Sequence, residues 1–159
     1  MSRDDRLEQA IANEDCRGRC QCPPERKEVD DKGGRRAYLQ GSDLRGVDVS
    51  GAGLRGANLT DADLSGADLT AADLTEADLS GASLRAANFR HANLQGASLR
   101  YADLSYVDLS YADLTGADLT GADMRWSKLR KADLDGVTLA ATNLAGADVT
   151  GTTLERDSK

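Results

Sequence analysis

Bulky aromatic residues are nearly missing from this chain, which has one Phe and one Trp among its 159 residues. A globular core built on aromatic side chains is therefore excluded. Histidine occurs once, which removes most His-based acid–base schemes. No apolar run approaches the roughly 20 residues that a membrane helix needs. The opening MSRDDRLEQAIANEDCRGRC is charged where a secretory signal carries its apolar segment, so the expected location is the cytoplasm. Cysteine, with three copies, fits a reducing compartment better than a secreted disulfide framework. Basic charge is in deficit, with 20 Lys and Arg against 27 Asp and Glu and a net charge of −7. That balance argues against direct nucleic-acid binding, because affinity for phosphates needs a basic surface.

What the chain does have is a five-residue phrase, which recurs from AYLQG at 37–41 to TTLER at 152–156 without an insertion. With the central apolar residue as i, the phrase reads Ala at i−2, Asp or Asn at i−1 and Leu at i. Two small or polar residues follow. The remaining sequence divides into an N-terminal segment, 1–36, and a tail, 157–159. Within the first segment, Leu7, Ala10 and Ile11 fall at helical spacing behind Asp4 and Asp5, which predicts a short helix over 4–14. Residues 16–36, broken by Pro23-Pro24 and Gly33-Gly34, read as a linker.

Cys16, Cys20 and Cys22 sit in that linker and admit two chemistries. As thiolates they offer three ligands to zinc or an iron–sulfur cluster, although the spacing departs from paired C-x2-C modules. Alternatively they are free, redox-labile thiols whose ionisation is favoured by Arg17, Arg19 and Arg26.

A period of five dictates the architecture. On a helix, five residues advance about 500°, so successive Leu residues precess and no apolar face forms. On a strand, Ala at i−2 and Leu at i share a face while i−1 points outward. The next Ala would land on the wrong face unless the chain bends within i+1 and i+2. Position i+2 is Gly at many of these bends, which suits a turn. A bend of one hand at every fifth residue winds a solenoid.

The run ANLTD, ADLSG, ADLTA, ADLTE and ADLSG within 57–81 closely resembles the pentapeptide-repeat proteins. The resemblance implies an all-β fold, a right-handed quadrilateral β-helix with four phrases per coil and about six coils over 37–156. Core positions are then Leu59, Leu64, Leu69, Leu74, Phe89 and Leu104, with Val47, Val107 and Val137 widening the small i−2 column. Ser42, Ser127 and Thr142 face the same interior and are expected to find hydrogen-bond partners there.

In this register residues twenty apart stack. Lys128 is expected between Asp108 and Asp148. Arg45, Arg85 and Arg125 share one column, and Arg90 and Arg130 share the next, with His91 and Lys131 at its corner. Tyr101, Tyr106 and Tyr111 occupy three successive corners of one coil, and Trp126 is expected to stack on Tyr106. Exposed Tyr, Trp and Arg are the residues that dominate protein interfaces. The competing reading is that they only shield turns and pair with the Asp columns.

No catalytic group set is present: the Asp residues come from the phrase and the glycines recur as corners, not as a phosphate loop. The leading expectation is a non-enzymatic protein-interaction or scaffold module with a protein partner. A second follows from the resemblance, since some members are acidic rods that mimic duplex DNA and act on type II topoisomerases such as gyrase. Such mimics commonly carry projecting loops or a C-terminal helix, and neither is expected here. A third is a metal- or redox-responsive protein working through the cysteines. The C-terminal coil, with Leu134, Leu139, Leu144 and Val149 in its cross-section, is expected to stay uncovered and to invite a homodimer.

Overall fold

The computed structural model describes residues 37–158. The expected helix over 4–14, the linker and Cys16, Cys20 and Cys22 lie outside the described residues. Ala at i−2 and Leu at i form a three-residue extended side with an outward residue between them. The side then ends in a turn. In each turn the residue at i+2 has positive φ, from Gly41 at 66° to Gly151 at 77°. The N–H of the next i−2 residue donates back to the carbonyl of i, as in Ala67 to Leu64 at 2.9 Å. A positive φ at the third residue of such a turn is the signature of type II.

Four sides close one coil. Parallel bridges join residues twenty apart, from Tyr38 with Asn58 through to Lys128 with Asp148. Three hydrogen bonds per phrase tie each coil to its neighbours. Leu59 N donates to Asp78 O at 2.7 Å, Asp61 N to Ser80 O at 3.0 Å, and Asp78 N to Ala57 O at 2.9 Å. The backbone is thus satisfied by the coils on either side, as burial requires.

The interior follows the expected register. Leu59, Leu64, Leu69, Leu74, Phe89 and Leu104 are all buried, and so are the Ala residues that precede them in the phrase. Burying each Leu contributes about 1.5–3 kcal/mol relative to leaving it in water. Thr142 meets its expectation by donating to the Leu119 carbonyl at 2.7 Å. Ser127 does not: its hydroxyl is buried without a hydrogen-bond partner. Thr142 is satisfied by a carbonyl that already accepts from Ala122 N, so a buried hydroxyl here needs an acceptor within reach, not an uncommitted one.

Asp and Asn at i−1 have a local duty that the periodicity does not reveal. Their Oδ1 accepts the N–H of the residue two positions on, as in Thr70 to Asp68 at 2.9 Å and Ser105 to Asp103 at 2.9 Å. Where that residue is Thr, its hydroxyl often donates too, as Thr75 does to Asp73 at 2.6 Å. The carboxylate therefore builds the turn that follows it.

The last phrase breaks the pattern. Residues Thr153–Ser158 form a 3-10 helix instead of a further side, and Glu155 accepts from Gly151 N at 2.6 Å. Leu134 is buried, contrary to the expected cross-section, whereas Leu139, Leu144 and Val149 are only partly covered.

Candidate interaction surface

Five large hydrophobic side chains are exposed among the described residues, and four of them occupy left-handed corners. Tyr101 is 66% exposed, Tyr106 50%, Tyr111 45% and Trp126 60%. Their φ values lie between 57° and 63°, a region that bulky L-residues rarely adopt. Glycine occupies many equivalent corners freely, so each ring is held at a conformational cost of about 1–2 kcal/mol.

Tyr101 and Trp126 lean toward the C-terminal neighbour coil. A Cβ added to Gly121 would fall 2.5 Å from the Tyr101 ring, and one added to Gly146 would fall 2.5 Å from the Trp126 indole. These two rings thus lie against glycines that leave room for them. The expected stack of Trp126 on Tyr106 is replaced by this packing on Gly146, because the side chain leans the other way. The ring pair that does form is His91 with Tyr111, stacked at 5.0 Å between centroids.

Cations cover the same rings. The Arg85 guanidinium lies 5.0 Å from the Tyr106 centroid, Arg90 lies 5.7 Å from Tyr111, and Lys131 Nζ lies 5.6 Å from Tyr111. Sequence reasoning missed Arg100, which sits 5.6 Å over Tyr101 and donates to Asp118 at 2.7 Å. Its signal was its place beside Tyr101 on the same corner.

The charge pairs sort the expected site residues into two groups. Arg125 is taken up by Asp123 of its own phrase, with Nε at 2.9 Å and Nη2 at 2.6 Å from the carboxylate. Arg130 is held loosely, 3.9 Å from Asp148. Lys128 approaches Asp108 at 3.8 Å, and Arg90 reaches the same carboxylate at 3.6 Å. Lys128 therefore has one recorded carboxylate partner, not the expected two, as Asp148 pairs with Arg130. Burial works to raise the Asp108 pKa, but the Ser110 hydrogen bonds, Lys128 and Arg90 outweigh it and the net shift is downward. Asp118 drops to about 2 through the Thr120 hydroxyl and N–H and through Arg100. Among the described residues no group of His, Cys, Asp and Glu is placed to hold a metal ion, and no helix is long and apolar enough to cross a membrane.

A four-cornered parallel solenoid with one phrase per side and an exposed edge of rings and cations defines a class of repeat protein. The chain belongs to the pentapeptide-repeat family, whose model matches residues 35–70, 67–105, 82–121, 97–136 and 117–156. Membership makes it a structural or interaction protein and not an enzyme.

Among solved structures it is similar to a pentapeptide repeat protein of the Arabidopsis thaliana thylakoid lumen, at 42% identity and a TM-score of 0.55. That match covers 57% of this chain and 63% of the other, so it spans less than two thirds of the relative's length. A pentapeptide repeat protein from Nostoc shares 26% identity with a TM-score of 0.49, over 89% of this chain and 93% of that one. The plasmid-mediated fluoroquinolone resistance protein QnrB1 shares 16% identity with a TM-score of 0.49, over 82% of this chain and 74% of that one. Likeness at that level carries nothing about a shared target. Comparison with curated proteins gives no match.

Proposed function

We propose that this protein is a protein-interaction or scaffold module whose coils, right-handed as the family geometry implies, present the Tyr106, Tyr111 and Trp126 edge to a protein partner. The observation that carries the reading is the clustering of these exposed rings on neighbouring corners, with cations resting over Tyr106 and Tyr111. Affinity capture from native lysate, with wild type beside a Tyr106→Ala/Trp126→Ala variant, tests it. The expected result is a partner retained by wild type and lost by the variant. Identical captures would remove the reading.

A second reading, mimicry of duplex DNA toward gyrase, is favoured by the carboxylates at Asp73, Asp113 and Asp133, which share a single side with Asn93 between the first two. A supercoiling assay with purified gyrase discriminates, since inhibition or protection at low micromolar protein would place this reading first. The partly covered Leu139, Leu144 and Val149 also support end-to-end dimerisation through the C-terminal coil. Light scattering of wild type against a Val149→Asp/Leu154→Asp variant checks it, and a wild type that stays monomeric at high concentration refutes it.

A further inference from the structure

The side that runs between the Tyr106 and Tyr111 corners carries a local charge opposite to that of the whole chain. Arg85, Arg90, Lys128, Arg130 and Lys131 border or stand on it, in a protein of net charge −7. Arg90 and Lys128 share the single carboxylate of Asp108. Arg85 and Lys131 form no ion pair among the described residues, although Arg85 lies near enough to Asp123 to help lower its pKa. Arg85 instead reaches the Ser105 hydroxyl at 3.4 Å, and both cations rest over tyrosine rings. A guanidinium or ammonium parked on a ring is held in place while most of its donors still face solvent.

We propose that this side docks an acidic segment of another protein, its carboxylates pairing with Arg85 and Lys131 and its apolar side chains lying on Tyr106, Tyr111 and Trp126. The proposal rests on the interaction reading above and adds the chemistry of the partner. Arg85 and Lys131 arise on different coils but bring their charges over Tyr106 and Tyr111, neighbouring corners of one coil, so the two cations flank a single side. A run of phosphates fits poorly. Two unpaired cations flanked by Asp108 and Asp148 do not neutralise it, and the acidic remainder of the rod repels it.

Trp126 is the only Trp of the chain and stands at the edge of this side, so its fluorescence reads occupancy directly. The full-length protein is titrated with a short synthetic peptide bearing Glu at every third position among Ala and Leu. The same peptide with Gln for Glu, and an oligothymidylate, serve as comparisons. The expected result is saturable binding of the Glu peptide that weakens at least about tenfold, or 1.4 kcal/mol, in an Arg85→Glu/Lys131→Glu variant with an unchanged circular dichroism spectrum. A Lys-bearing peptide is expected to bind that variant better than wild type.

Equal binding of the Gln and Glu peptides overturns the acidic preference and leaves the aromatic surface standing. Tighter binding of the oligonucleotide overturns it in favour of nucleic acid. Emission that changes with protein concentration alone assigns the side to a second copy of this chain. No response to either peptide overturns the proposal, while the lysate comparison of the ring variant still decides the interaction reading.

Discussion

Replacing Ser127 by Ala is expected to stabilise the protein. Ser127 is 1% exposed and its hydroxyl has no hydrogen-bond partner. A buried unsatisfied polar group costs about 1–3 kcal/mol. The substitution keeps Cβ and leaves a void of on the order of 10–15 Å3, a penalty of about 0.3 kcal/mol. Ala already fills the equivalent place at Ala67 and Ala87, so the backbone there accepts it without adjustment. The net gain is about 1–2 kcal/mol, or a rise in Tm of roughly 2–8 °C. Thr142→Val supplies the contrast, because that hydroxyl does donate to the Leu119 carbonyl. The same carbonyl also accepts from Ala122 N, so it is not orphaned, and the loss is about 0.5–1.5 kcal/mol. Urea and thermal unfolding followed by Trp126 fluorescence compare the two variants. Destabilisation by both substitutions alike would refute the argument, since it would show that Ser127 has a partner after all.

Three further outcomes are expected. Ala86→Gly relieves an L-residue held at φ 56° and raises stability by about 0.5–1 kcal/mol after the added unfolded-state entropy, with a lowered urea midpoint counting against it. Asp118 has a folded pKa of about 2 against an ordinary value of 3.8, so its contribution is complete above about pH 4 and is lost as pH falls through 2. Urea midpoints measured from pH 5 to pH 2 are therefore expected to fall, less steeply in Asp118→Asn. Identical slopes in the two proteins would exclude that role. Finally, a methyl at Gly146 collides with the Trp126 indole, so Gly146→Ala is expected to displace the ring and shift its emission, and an unshifted spectrum would mean that the ring does not rest there.

Much of this molecule follows from the sequence because its information is local and periodic. An alternation of Ala and Leu across two positions, followed by a bend, fixes what points inward. Repetition without insertion then propagates one register from Leu39 to Leu134. The surface columns follow from the same arithmetic, which is why Lys128 was legible between Asp108 and Asp148.

Tertiary structure decided what depends on contacts twenty residues away. Which coil a corner side chain leans toward is set by its left-handed backbone and by the space that a glycine leaves one coil on. Trp126 therefore lies on Gly146 rather than on Tyr106. Whether a buried hydroxyl is satisfied depends on which acceptors the neighbouring coils bring within reach: Thr142 finds the Leu119 carbonyl and Ser127 finds none. The end of the solenoid is likewise a matter of contact: the chain turns into a 3-10 helix at Thr153, where Glu155 accepts from Gly151 N.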